Sequence, residues 1–235
     1  MLVGNTGTPV DKLDMKVRMK PKAIVSWSGG KDCSLALYHA RRDFDIVGLL
    51  TTVTVPFQRI SMHGVRRELL ESQAEQMGLP VHVVEIPYPC DNTTYEAAMS
   101  EAWNQAKAEG IKHVVCGDIF LADVRRYREE RLFGQPACVF PLWNRPSNEL
   151  AREFVELRFQ AVLCCVDTQA LSAEFAGRAF DERLLRDLPA NIDPCGENGE
   201  FHTFVNAGPI FRAAIPIELG ERVLRDQRFA YCEIQ

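Results

Sequence analysis

No stretch of this 235-residue chain approaches the roughly 18–20 apolar residues that a membrane-crossing helix requires. The segment Met1 to Lys22 has no apolar core of the signal-peptide kind. It is polar, with Gly4, Gly7 and Pro9 early and Lys and Arg later, so residues 1–21 are expected to form a mobile leader. Internal repeats and low-complexity tracts are missing. Excess positive charge is missing too. The 27 Lys and Arg face 32 Asp and Glu, a net charge of −5. That argues against a broad nucleic-acid footprint, though not against a local basic patch. The eight cysteines (33, 90, 116, 138, 164, 165, 195 and 232) include no C-x-x-C pair. A reduced, cytoplasmic protein is the simpler reading. Cys164 and Cys165 are adjacent in a strand-like run, so they face opposite ways and share no zinc site. His39, His82 and His113 have no partner at metal-ligand spacing.

What is present is alternation of strand and helix. Ala23–Trp27, Asp45–Thr54, Val81–Ile86 and His113–Cys116 read as near-continuous apolar strands. Between them lie helical patterns at Asp32–Arg42, Val65–Met77 and Thr93–Glu109, the last with Thr93 or Thr94 as cap. Such units predict an α/β fold with a parallel sheet sandwiched by helices. Its ligand belongs beyond the carboxyl ends of the strands, where the first turn, Thr51–Thr54 and Gly117-Asp118 gather. Past the turn-rich Asn144-Arg145-Pro146-Ser147-Asn148 the pattern changes. Helix Glu149–Arg158, strand Ala161–Asp167, helical patterns at Ser172–Phe180 and Asp181–Leu188, and β-like segments Phe201–Val205 and Arg222–Ile234 suggest a smaller α+β domain. The expected division is residues 22–143 and 144–235.

Ser28-Gly29-Gly30-Lys31-Asp32-Cys33-Ser34 joins the first strand to the first helix. A glycine turn feeding a helix N-terminus aims backbone N–H groups and the positive end of the helix dipole at an anion. Lys31 is placed to reach a terminal phosphate. Asp32 would repel a bare phosphate, which points to Mg²⁺ between them. A Walker A loop is excluded, because Val25 and Asp32 stand where it needs glycine and Ser or Thr. The turn resembles the SGGxDS loop of the PP-loop ATP pyrophosphatases, with Cys33 in place of the serine. Its thiol is a weak donor, but its N–H remains.

A second polar block runs Gly196-Glu197-Asn198-Gly199-Glu200-Phe201-His202-Thr203-Phe204-Val205. Two glycines flank a carboxylate, and a second carboxylate follows three residues on. Glu197 or Glu200 could bind an amine, take its proton or hold metal; the block also reads as a polar turn entering an edge strand. With Ser61-Met62-His63-Gly64, Gly117-Asp118-Ile119, Tyr127-Arg128-x-x-Arg131 and Pro141-Leu142-Trp143, the chain from about residue 22 onward resembles the diphthine–ammonia ligase family, a PP-loop branch. Its Gly-Glu-Asn-Gly-Glu-Phe-His-Thr block is similar to the bacterial form. The resemblance implies an adenine-nucleotide α-hydrolase fold, Rossmann-like, with a family-specific C-terminal domain. It implies ATP as co-substrate and a ligase reaction. A substrate carboxylate takes AMP from ATP, and ammonia or an amine then displaces AMP to give an amide.

Other candidates keep two readings each. Asp118 reaches nucleotide or metal, or caps the next helix. Arg128 and Arg131, three apart in a helix-like run with Tyr127, clamp an anion or lie on a solvated face. His63 lines the adenine side or sits on a surface loop, and His202 points into the cleft. Cys195 lacks a nearby His or Lys to activate it. The alternative functions are a non-catalytic nucleotide sensor and a PP-loop tRNA-modifying enzyme. An apolar edge near the C-terminal strands is where a homodimer would form.

Overall fold

A computed structural model describes residues 19–61, 63–135 and 137–235. Residues 1–18 of the expected leader, and Met62, lie outside these. The elements in chain order are β1 (Lys22–Ser26), α1 (Lys31–Ala40), β2 (Asp45–Thr54), β3 (Arg59–Ile60), α2 (Arg67–Met77), β4 (Val81–Ile86), α3 (Asn92–Ala108), β5 (His113–Val115), α4 (Ala122–Tyr127) and β6 (Cys138–Val139). There follow α5 (Ser147–Glu156), β7 (Gln160–Asp167), α6 (Glu182–Asp187), β8 (Phe201–Ala207), β9 (Leu219–Arg225) and β10 (Phe229–Ile234).

Strands β4, β2, β1, β5 and β6 lie side by side and parallel, and β3 pairs antiparallel with the far end of β2. This is the Rossmann-like sheet with flanking helices that the alternation predicts. Strand alternation sends Ala23 and Val25 into one core and Ile24 into the other, so β1 is buried on both faces. The chain leaves β1 toward β2 on one side and returns as β5 on the other. The crevice between their carboxyl ends is the topological switch point of the sheet.

The C-terminal part is a smaller sheet in the order β8, β7, β10, β9, all pairings antiparallel. Its residues Leu163, Phe201, Phe204 and Ile234 join the same core as Ala23 of the first sheet and Leu70 of α2.

Four local expectations are corrected. The cap of α3 is Asp91, whose carboxylate accepts the Thr94 N–H at 2.8 Å, rather than Thr93 or Thr94. Asp118 does not cap α4, which begins after Leu121. Residues 172–180 form only a 3₁₀ turn, Ala173–Phe175. Gly177 takes φ +84°, and Gly177 N–H and Phe180 N–H bond to carbonyls of β7, pulling the chain alongside that strand instead of coiling it. The segment Arg222–Ile234 is a hairpin rather than one run, turned at Asp226 and Gln227, both in the left-handed region.

Candidate active site at the switch point

The glycine turn leaves β1 with Gly29 at φ +80° and enters α1 through Gly30. Gly30, and Gly117 of the loop after β5, serve close approach. A Cβ on Gly30 would lie 3.1 Å from the Thr203 carbonyl and 3.3 Å from the His63 ring. One on Gly117 would lie 2.8 Å from the Asp32 and Cys33 backbone, so the loop after β5 rests directly on the first turn of α1. From the other sheet, Val205 N–H donates to the Gly29 carbonyl at 2.9 Å, and Lys31 N–H donates to the Thr203 hydroxyl at 3.0 Å. Gln73 of α2 is fully buried. Its amide donates to the Gly29 and Val205 carbonyls at 3.0 and 2.6 Å and accepts from the Trp27 indole at 2.9 Å. One side chain thus holds turn, strand and helix together.

These elements enclose a cleft of about 260 Å³. Of the residues singled out in the sequence, it is lined by Ser28, Lys31, Asp32, Cys33, His63, Gly117, Asp118, Arg128, Gly196, Glu197, Gly199, His202 and Thr203. Gly29, Gly30 and Ser34 stand behind that wall, the Ser34 hydroxyl donating to the Gly30 carbonyl at 2.8 Å. The structure does not bring Tyr127, Arg131, Asn198 or Glu200 to the cleft. A π-helical turn over Arg128–Leu132 breaks the three-residue spacing, and Arg131 points outward to pair with Glu96 at 2.8 Å. Ser61, of the Ser61-Met62-His63-Gly64 motif, also lines the cleft, and Trp27, Tyr95 and Met99 line it without having carried a sequence motif. The only available signal was the four-residue spacing of Tyr95 and Met99 on one helix face.

The two glutamates of the C-terminal block have separate surroundings. Glu197 reaches over the loop after β5, where its Oε1 accepts the Ile119 N–H at 2.7 Å. Burial pushes its carboxyl up to about 7, against the pull of that N–H. Glu200 is 6 % exposed, and its Oε1 accepts from Asp193 N–H at 3.1 Å and from the Asn198 amide at 3.0 Å. It closes the loop that carries Glu197.

Arg128 donates to Asp118 across 2.8 Å at the floor. Burial opposes its charge, but Asp118 more than offsets this and the guanidinium pKa is raised. Lys31 pairs with Asp32 at 2.7 Å; burial opposes the ammonium and Asp32 again more than offsets it. The rings of His63 and His202 lie 4.4 Å apart. Burial lowers His63 well below its ordinary range, with His202 adding to the shift, and takes His202 to about 4. Both are neutral at pH 7. Cys33 stays a thiol because burial raises it, and it donates to the Gly30 carbonyl at 3.1 Å. Contrary to the sequence expectation a lysine, Lys31, stands beside Cys195, but burial outweighs its pull and takes the thiol up to about 12, and the thiol is bonded to the Ser147 carbonyl.

Among the described residues, no three His, Cys, Asp or Glu side chains converge to hold a metal. The single carboxylates facing the cleft instead suit Mg²⁺, which commonly takes one or two protein carboxylates and completes its shell with phosphate oxygens and water. The Thr51 hydroxyl and His63 Nδ1, both buried at the cleft, have no partner among the described residues, as expected of a wall made to meet a polar ligand.

The fold and cleft define an α/β protein with a polar cleft at the switch point of its parallel sheet. Sequence models of the diphthamide synthase N-terminal domain match residues 21–132, and those of the diphthamide synthase C-terminal domain match residues 146–235. The chain belongs to this family. It is 25% identical over 238 residues to the human diphthine–ammonia ligase, spanning 88% of this chain and 85% of that one. It is 31% identical to the rat diphthine–ammonia ligase over 125 residues, 49% of this chain and 46% of that one. A solved structure described as a predicted subunit of tRNA methyltransferase from Methanocaldococcus jannaschii aligns over 83% of this chain and 100% of that one, at 14% identity and TM-score 0.41. No helix among the described residues is long and apolar enough to cross a membrane.

Proposed function

We propose that this protein is an ATP-dependent ligase that adenylylates a substrate carboxylate, releases pyrophosphate and forms an amide with ammonia or an amine. Residues 22–143 hold ATP and residues 144–235 present the acceptor, in the cytoplasm. The observation that carries the reading is Glu197. A carboxyl with a pKa of about 7 sits in the same cleft as a glycine turn of phosphate-binding form. Family membership and the name of the relatives add to it.

The turn Ser28–Ser34 offers backbone N–H groups and the α1 dipole to the phosphates. Mg²⁺, when bound, neutralises phosphate charge that would otherwise repel the acceptor carboxylate, and Asp32 would hold it. In the first step an oxygen of the acceptor carboxylate attacks the α-phosphorus. The bond to the β-phosphate breaks, and pyrophosphate leaves with its electron pair. In the second step Glu197 takes a proton from ammonium. The freed nitrogen attacks the acyl carbon, the carbon–oxygen bond to AMP breaks, and the surplus nitrogen proton passes to water. A base of pKa near 7 is ionised enough to accept that proton at neutral pH. Asp118 and Arg128 neutralise one another at the floor, while His63, His202 and Thr203 form a neutral, polar wall.

³¹P NMR of Mg-ATP with the protein, an ammonium salt and a small-molecule cell extract tests this. AMP and pyrophosphate, lost in Asp32→Ala, are expected. ADP and phosphate, or unchanged ATP, would overturn it.

A further inference from the structure

We infer that Lys31 is a positioning residue: its ammonium pins the Glu197 loop to the glycine turn and holds the Asp32 carboxylate, and it does not bind the phosphates of ATP. The inference rests on the ATP reading above and assigns Lys31 a different task from the one its place in the motif suggests.

An ammonium has three donors. Those of Lys31 meet Asp32 Oδ1 at 2.8 Å, Asp32 Oδ2 at 2.7 Å and the Cys195 carbonyl. None is left over. The side chain is 4 % exposed, and its Nζ lies 5.8 Å from the Phe180 ring centre and 5.6 Å from that of Phe201. Its own N–H goes to Thr203. Apart from Asp32, these partners all belong to the C-terminal part of the chain. To reach a phosphate, the ammonium would leave two aromatic faces and all three acceptors, stranding a buried carbonyl.

What the pin fixes is the base. Cys195 is two residues before Glu197, and Gly196 between them turns at φ +66° with no room for a Cβ, which would lie 2.8 Å from the Phe201 carbonyl. Asp193 Oδ1 accepts both the Cys195 and the Glu197 N–H. A rigid turn held at its Cys195 carbonyl therefore sets where the Glu197 carboxyl stands over Ile119. The same ammonium favours the charged form of Asp32 against burial and the nearby Asp193 and Asp118 carboxylates.

The test compares the wild type with Lys31→Met and Lys31→Gln. Binding of α,β-methylene-ATP, which cannot be cleaved between those phosphates, is measured with Mg²⁺ by calorimetry. Amide exchange is followed over residues 193–200. Losing a charged contact to phosphate weakens binding at least about tenfold. The positioning role predicts a change within about threefold for Lys31→Met. It also predicts exchange of the loop faster by about tenfold or more, partly restored in Lys31→Gln, whose amide still donates to Cys195. Tenfold weaker binding with a protected loop would overturn the inference. Should both variants unfold, the Lys31 ammonium resonance of the wild type decides. It is expected to be visible without nucleotide and unmoved by it, and a ³¹P coupling on adding the analogue would overturn it. A wild type that binds no analogue would sink the ATP reading alone, because loop exchange still judges the pin.

Discussion

Burial lifts the Glu197 carboxyl to about 7 and lowers the His202 imidazole to about 4, so the two groups oppose each other as pH changes. Glu197 binds its proton more tightly folded than unfolded. The stability this confers is complete below its ordinary 4.5 and lost as pH rises through about 7. His202 is easier to protonate unfolded. Its contribution is complete above 6.5 and lost as pH falls toward about 4. Between about pH 4.5 and 6.5 the two slopes oppose each other, so urea midpoints are expected to stay nearly level there; Glu197→Gln should expose the His202 loss toward acid pH, and His202→Asn the Glu197 loss as pH rises toward about 7. Glu197→Gln should also slow amide formation by roughly 10²–10⁴-fold, checked by quenched-flow assay of the second step. At this scale the sequence placed Glu197 and Glu200 in one polar block but left their roles open. Separating them takes the partners, Ile119 for one and Asp193 with Asn198 for the other, none of which spacing reveals. Gln73, which holds turn, strand and helix together, reads in the sequence as one more polar residue on an amphipathic helix.

The β5 loop meets α1 backbone against backbone at Gly117. Gly117→Ala would drive a methyl into the Asp32–Cys33 backbone, which has no flexible end to give way. A cost of about 1–3 kcal/mol in chemical denaturation is expected, with loss of nucleotide-analogue binding as the first turn of α1 shifts. Long elements were legible in the sequence because their periodicity is sustained: β2 and β4 fall where their apolar runs do. The pairs β3 and β6 have two residues each, too few to show a period, and they come from pairing offered by β2 and β5. The break in helical spacing after Tyr127 was equally invisible, since Arg, Glu and Leu suit an ordinary helix and a π-helical turn alike.

The two sheets share one core, from Ala23 and Leu70 through Phe154 to Phe201 and Ile234, so the boundary near residue 144 divides topology more than stability. Unfolding is expected as a single transition. Fluorescence from Trp27, Trp103 and Trp143, all in the first part, should share its urea midpoint with amide exchange in β9 and β10. Two separate midpoints would count against a shared core. The edge strand β9 leaves Leu219, Val223 and Leu224 exposed, and this is where the expected apolar edge lies.

Lys31 and Thr203, joined by one hydrogen bond, are 172 residues apart. On a translating ribosome the glycine turn is made early, yet its closing partner emerges only when most of the chain has been synthesised. The cleft therefore lacks the wall that Glu197, His202 and Thr203 supply until late in synthesis.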